Sequence, residues 1–288
     1  MRGPGGVLVA VRIVTDSASD LTDEEANALA VDVVPLTIRF GAEEFVDRKD
    51  LTPAEFYRRL AASAVLPETA APAPGAFEAA FRTALDGGAE AVVCVNISSS
   101  LSATMQAART AASSIAGADI RVIDSRSITW GLGSQVEAAA LAARSGASVD
   151  EVVALVDGMI PRTRVYGALD TLENLKKGGR VGGAQAMLGT LLSIKPVLDI
   201  SSGEVEEAGK PRTRAKALKW LADKVAADRP VEHLAVMHGS APDLEQFLDL
   251  LAPIAPRDQI HVGEIGATIG VHGGLRVMGI TYQVVTER

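Results

Sequence analysis

Residues 91 to 95, AVVCV, form an unbroken apolar run rich in β-branched side chains. A short run of this kind reads as a strand buried on both faces, the pattern of a parallel sheet covered by helices. Asn96 and Ile97 follow, then Ser98, Ser99 and Ser100, after which Leu101, Met105 and Ala108 recur at helical spacing. The chain therefore passes from buried strand through a hydroxyl-rich turn into a helix. In an open parallel sheet, ligands bind beyond the carboxyl ends of the strands, and a helix N-terminus there favours a negative group. Serine is also an ordinary N-cap, so this turn alone leaves both readings open.

The same unit recurs. Val11 to Val14 reads as a strand ending in Thr15, Asp16, Ser17, Ala18, Ser19 and Asp20, with Thr22 and Glu25 spaced as a capping box. Ile120 to Ile123 reads as another, ending in Asp124, Ser125, Arg126 and Ser127 before a small-residue helix through Ala143. Parallel strands would put the turns near Ser17, Ser99 and Ser125 on one rim. Val33 to Phe40 reads as one strand. Thr52, Pro53 and Glu55 start a helix reaching about Ala62. Pro67, Pro72 and Pro74 make Leu66 to Gly75 an extended connector, and Phe77 to Leu85 is a helix. Ser148 and Glu151 cap a helix that places Val152, Leu155, Val156 and Met159 on one face. Alternating strands and helices predict an α/β fold with a parallel sheet flanked by helices on both faces.

The second half reads differently. Val165 to Leu169 is a strand and Thr171 to Leu175 a short helix. Residues 176 to 183, KKGGRVGG, lead into an apolar helix, Ala184 to Leu192, carrying Met187, Leu188, Leu191 and Leu192. Pro196 to Ile200 and Glu204 to Glu207 flank Ser202-Gly203 as a β-hairpin. Arg214 to Ala227 is a helix, Leu234 to Met237 a strand, and Ser240 with Asp243 caps a further helix. Gln259 to Glu264 and Gly279 to Val285 are late strands around the glycine-rich stretch Gly266 to Gly274. A hairpin among helices predicts a mixed sheet. The expected organisation is a disordered extension over residues 1–10, an N-terminal α/β domain over 11–160 and a C-terminal α/β domain over 161–288.

Net charge and cysteine usage narrow the function. A formal charge of -8 argues against nucleic acid, whose phosphates need a basic face. The single cysteine, Cys94, sits within an apolar strand, so no intrachain disulfide forms, which fits a reducing cytoplasm. No apolar run approaches the ~20 residues of a membrane-spanning helix, and the N-terminus does not have the form of a signal peptide.

The chemistry-bearing residues are few. KKGGRVGG sets two glycine pairs around Arg180, and glycine lets backbone approach a ligand closely. It is neither a dinucleotide fingerprint nor a Walker A loop; helix C-capping is the plain alternative. His233, His238, His261 and His272 show no metal-ligand spacing, so no metal site is expected. No Gly-x-Ser-x-Gly elbow occurs, although Ser99 and His272 could contribute to a Ser-His-acid triad. From residues alone, the chain reads as a two-domain α/β protein with an anion-friendly site near Ser98, Ser99 and Arg180.

From Val11 onward the chain resembles the DegV family of bacterial proteins. TDSASDL at 15–21, PETAAPAPG at 67–75, ISSSLSATMQAA at 97–108, DSRSITWGLG at 124–133, TLENLKKGGRVGG at 171–183, KPVL at 195–198 and IGATIGVHGG at 265–274 carry the resemblance. It implies a fatty acid bound between two α/β domains, and a role as the acyl-carrying subunit of a fatty acid kinase. A separate ATP-dependent kinase subunit would phosphorylate the carboxylate; the chain itself would be no enzyme and need no cofactor beyond the bound long-chain fatty acid. Its implied partners are the fatty acid and that kinase, with no nucleic acid, no stable membrane insertion and a cytoplasmic location. The resemblance puts Thr69 and Ser98 or Ser99 at the carboxylate and counts His272 and Gly274 among the ligand-binding residues. It puts Arg180 and Arg212, with His272, near the head group or the phosphate-transfer face. The alternatives are a stand-alone acyl or phosphoryl hydrolase using Ser99 and His272, or a binder of another apolar anion.

The chain departs from the family pattern at several places. Ala70 and Ala71 follow Thr69 where the family has Ser and Gln, Ser100 and Ala103 replace glycines, and Leu275 and Arg276 end the run after His272. These changes bear on the pocket entrance and acyl preference rather than on the fold.

Overall fold

The computed structural model describes residues 10–190 and 194–285, the side chains of 188–190 excepted. Residues 1–9 of the expected extension lie outside the described residues, as do Leu191, Leu192 and the side chain of Leu188.

The first half begins with β1 (Val11–Asp16), a 3-10 turn at Ser17–Ser19 and α1 (Asp23–Leu29), whose Thr22–Glu25 capping box is formed. Next come β2 (Val31–Val34), β3 (Thr37–Phe40), β4 (Glu43–Val46), α2 (Pro53–Ala62), β5 (Glu68–Ala70) and α3 (Pro74–Asp86). Then follow β6 (Ala91–Asn96), α4 (Thr104–Ser114), β7 (Asp119–Asp124), α5 (Thr129–Arg144) and α6 (Val149–Met159). The four-stranded sheet has the order β2-β1-β6-β7 and every pairing in it is parallel. Phe77, Phe81 and Ala108 of α3 and α4 pack on Val14, Val92 and Cys94 from one side. Val136 and Val152 of α5 and α6 share a cluster with Val93 and Val95 on the other. Helices thus cover both faces of the sheet.

Several local expectations are corrected. Val33 to Phe40 is two strands, not one, broken at Pro35-Leu36; Pro35 has no amide N–H to give to a ladder. The second of them, β3, centres a separate sheet of order β4-β3-β5, so part of the proline-rich connector is a paired strand that carries Thr69. Helix α4 starts at Thr104, and Ala103 at its N-cap makes no side-chain cap. Ser98, Ser99 and Ser100 therefore form a turn ahead of the helix instead of capping it. Leu155 is 39% exposed, off the buried stripe of Val152, Val156 and Met159.

The second half contains β8 (Thr163–Ala168), α7 (Glu173–Lys177), β9 (Val197–Asp199), β10 (Glu206–Gly209), α8 (Arg214–Ala227), β11 (Val231–His238), α9 (Leu244–Leu251), β12 (His261–Glu264), α10 (Ala267–Gly273) and β13 (Met278–Val284). Their sheet has the order β10-β9-β8-β13-β11-β12; only β11 and β12 pair in parallel. Gly182–Thr190 is a 3-10 segment rather than the expected α-helix. The Ser240–Asp243 cap is absent: both carboxylate oxygens of Asp243 accept from the Arg214 guanidinium, at 2.8 and 3.1 Å, and Ser240 turns to a φ of 52°. Gly266 to Gly274 is largely helix, as α10.

Side chains alternate across this mixed sheet. Tyr166, Ala168, Met278 and Ile280 face α8 and α9. Val165, Leu198, Ile200 and Val277 face the other way and join the cluster that includes Val93, Val95 and Trp130 of the first half. The two halves therefore share an apolar core across their junction. Among the described residues, no helix is long and apolar enough to cross a membrane.

Candidate functional site

A cavity lies along the inner face of the mixed sheet. Its floor uses alternate residues of β8 and β13. Gly167 and Gly279 meet there as direct cross-strand partners. Neither has a positive φ, and an added Cβ would come no closer than 3.6 Å to protein atoms at Gly167 or 3.5 Å at Gly279. Backbone conformation and crowding thus do not demand glycine at either position. The missing side chains leave a trough in the middle of the sheet, the kind of site where a ligand approaches a strand closely. Leu36, Ile97 and Ile128 from the first half roof it.

One end of the cavity is polar. Thr69 Oγ1 on β5 and His272 Nε2 on α10 lie 3.3 Å apart. Burial, and secondarily the charge of Arg180, depress the His272 pKa to about 4, so the ring is neutral near pH 7 and its Nδ1 has no hydrogen-bond partner in the protein. Arg180 lines the cavity from the exposed loop after α7, where its guanidinium donates to Gly178 O at 2.6 Å and to Leu101 O at 3.2 Å. Ser102 reaches the same cavity from the serine turn.

Two of the KKGGRVGG glycines, Gly178 and Gly182, are held by close neighbours. A Cβ on Gly178 would fall within 2.7 Å of His272 Cε1, and one on Gly182 within 2.6 Å of Val205 O. Gly179 and Gly182 also take φ values of 69° and 47°, the left-handed region that glycine enters most readily.

The TDSASD turn anchors α10 from below. Asp47 accepts from Thr268 Oγ1 at 2.7 Å and from Ser17 Oγ at 2.8 Å. Asp20 accepts the Gly266 N–H at 2.9 Å and pairs with Arg48 at 3.1 Å. Burial raises the pKa of Asp47 and lifts Asp20 to about 6, against the opposing charge of Arg48. Asp16, which accepts from the backbone N–H groups of Ala18 and Ile97, is also lifted to about 6 by burial.

The structure therefore brings Thr69, Arg180 and His272 together and leaves other candidates elsewhere. Ser98 is buried, donating to Gly203 O at 2.6 Å. Ser99 is exposed and donates its hydroxyl to Asp124 Oδ2. Neither serine lines the cavity, and no hydrogen bond joins Ser99 to His272. Gly274 ends α10 at a φ of 76°, packed beside Asn174. Arg212 is exposed ahead of α8 and does not line the cavity. Sequence reasoning passed over Ser102, Gly167, Gly279 and Thr281, all of which line it. Two glycines spaced within strand-like runs were the available signal. Among the described residues, no group of three or more His, Cys, Asp or Glu side chains could hold a metal ion.

Comparison with known proteins matches this architecture. The model of the DegV family, described as an uncharacterised protein family, matches residues 10–284. A DegV domain-containing protein of Deinococcus radiodurans is 35% identical over 286 residues, covering 96% of this chain and 99% of its own. A solved DegV-family structure from Thermus thermophilus, described as showing fatty acid binding, is 32% identical with a TM-score of 0.86, covering 96% of this chain and all of its own. A structure from Streptococcus agalactiae, described as a fatty-acid-binding DegV family protein, is 27% identical with a TM-score of 0.87, covering 96% and 99%. With the match running from the first strand to the last and including all three sheets, the chain belongs to the DegV family.

Proposed function

We propose that this protein binds a long-chain fatty acid, with the acyl tail along the β8–β13 trough and the carboxylate among Thr69, Ser102, Arg180 and His272. The observation that carries this reading is the Gly167–Gly279 trough leading to a polar end of one cation, one neutral imidazole and hydroxyls. Arg180 supplies the charge opposite a carboxylate, and neutral His272 with Thr69 supplies donors. Burying about 14 methylenes contributes roughly 11 kcal/mol gross at about 0.8 kcal/mol each, enough for tight binding after the losses of association. The fatty acid binding described for the Thermus thermophilus and Streptococcus agalactiae relatives supports the ligand class.

The finer role is that of a carrier acting in the cytoplasm with a separate kinase. The carrier buries the tail and presents the carboxylate; the partner supplies ATP and forms the acyl phosphate. Arg180, exposed at the mouth, would stabilise charge on the transferred phosphoryl group. Arg212 is assigned to the partner-facing surface. This role rests on the family resemblance and on a head-group end that opens to solvent at Arg180.

Native mass spectrometry of the purified protein tests the ligand, and ATP-dependent acyl-phosphate formation with a cognate kinase tests the role. A co-purified fatty acid that only the kinase mixture converts supports both. Ester or acyl-phosphate turnover by the protein alone, with no bound acyl chain, would overturn them.

A further inference from the structure

The cavity's other end is polar too. Thr281 lies two residues beyond Gly279 on β13 and lines the cavity; it is 1% exposed, and its Oγ1 has no hydrogen-bond partner in the protein. Its cross-strand partner is Val165, and paired residues point to the same face of a sheet. That face lies under α5, where a Cβ on Gly131 would come within 2.6 Å of Val165 Cγ2. Two residues on, Gln283 is as deeply buried, and neither Oε1 nor Nε2 has a partner in the protein. Gln283 pairs with Thr163, whose Oγ1 lies 3.4 Å from Nε2 of Gln135 on α5. Gln135 Oε1 and Ser127 Oγ also lack a protein partner.

Thr281 lines the cavity itself; Gln283, Gln135 and Ser127 come from β13, α5 and the turn before it and do not line it. A buried polar atom left unpaired is disfavoured, so a cluster of them calls for partners from outside the chain. The position of Thr281 along the cavity says which part of a ligand it meets. Gly273, beside His272, packs against Val277. Thr281 is four residues further along, roughly 13 Å at about 3.3 Å per residue. A tail whose carboxylate sits at His272 meets Thr281 in its distal half.

We propose, building on the fatty acid reading, that the cavity is shaped for an acyl chain bearing a hydroxyl or oxo group in its distal half. The ligand oxygen bonds to Thr281 Oγ1, backed by Gln283 and Gln135. An unsubstituted chain lays methylenes against Thr281 and leaves its hydroxyl unpaired, and a site built to hydrogen-bond an OH discriminates against the analogue lacking it.

Delipidated full-length protein is titrated with octadecanoic acid, its 10-hydroxy derivative and its 2-hydroxy derivative, in wild type, Thr281→Val and Thr281→Ser. The 10-hydroxy acid binds wild type at least about tenfold more tightly than octadecanoic acid, the gain of one well-made hydrogen bond; the 2-hydroxy acid shows no such gain. Thr281→Val, nearly the same shape, removes the advantage of the 10-hydroxy acid over octadecanoic acid, whereas Thr281→Ser keeps it. Equal binding of the 10-hydroxy and plain acids to wild type would overturn the proposal and mean that water satisfies the cluster. An advantage that survives Thr281→Val would also overturn it. Failure of all three acids to bind wild type would instead remove the fatty acid reading beneath it.

Discussion

Gly178 lies against the imidazole of His272 so closely that a Cβ on it would stand 2.7 Å from Cε1 and nearer still to Nδ1. The loop after α7, which carries Arg180, and helix α10, which carries His272, are thereby locked in one arrangement. Arg180 closes the same contact by donating to Gly178 O.

Gly178→Ala should therefore move the His272 ring. The expected result is a loss of about 1–3 kcal/mol in stability, the usual effect of overpacking, with fatty acid affinity lowered by at least about tenfold. Gly179→Ala meets no neighbour but keeps a φ of 69°, so it should lower stability with little change in affinity. Chemical denaturation and isothermal titration separate the two. Equal effects on affinity would show that the Gly178–His272 contact is not what orders the site.

The trough makes the opposite kind of prediction. An added Cβ at Gly279 meets protein only at 3.5 Å or beyond, so Gly279→Val should still fold, with a loss of stability of about 1–3 kcal/mol at most. Its side chain fills the middle of the floor. Binding of octadecanoic acid should fall by at least about tenfold, while octanoic acid, short enough to stay at the His272 end, should bind as before. Unchanged long-chain affinity would move the tail off the β8–β13 floor.

What was legible in the sequence follows from how local each signal is. The parallel sheet, the hairpin and the mixed sheet came from hydrophobic period and turn residues, and the helix over Arg214–Ala227 matches its expected bounds. The split at Pro35-Leu36 was missed because the apolar pattern runs straight through it. The Ser240–Asp243 cap failed because a distant residue, Arg214, engages the carboxylate. At the site, Thr69, Arg180 and His272 are over 90 residues apart in the chain, and the resemblance, not their spacing, singled out Thr69. Ser98 and Ser99 have the right chemistry, but their hydroxyls go to Gly203 and Asp124, partners that only the folded chain supplies. Gly167 and Gly279 stand in strand-like runs, but that they meet as a pair is decided only across strands.

Ser98 and Thr69 should separate in a paired test. Ser98→Ala leaves Gly203 O, at the junction of the two halves, without its 2.6 Å donor, so stability should fall by about 1–2 kcal/mol with fatty acid affinity changed less than threefold. Thr69→Ala removes a hydroxyl beside His272; affinity should fall by about fivefold or more with little loss of stability. Thermal melts with and without ligand distinguish the two patterns. The reverse pattern would return the carboxylate to the serine turn.

Arg180 is the one cation lining the cavity among the described residues. Its side chain is exposed and the acyl trough is apolar, so Arg180→Ala should leave the lipid bound, within about fivefold in affinity. Acyl-phosphate formation with a cognate kinase should drop by at least about a hundredfold, the scale of losing one donor to developing charge. Phosphorylation at the wild-type rate would remove Arg180 from the transfer face.

Two buried groups should give ligand-free protein opposing pH dependences. His272 is depressed from 6.5 to about 4, so between those values the unfolded chain binds more protons and stability rises with pH. Its contribution is complete above pH 6.5 and is lost as pH falls toward 4, a change of the order of 3 kcal/mol. Asp20 is raised from 3.8 to about 6; there the folded chain binds more protons, so stability falls as pH rises through that window. The stability of wild type relative to His272→Asn should therefore increase from pH 4 to 6.5, and relative to Asp20→Asn it should decrease from pH 4 to 6. Urea unfolding at pH 4, 5, 6 and 7 measures both differences. Slopes of the same sign would mean that one of these side chains is hydrated rather than buried in the native protein.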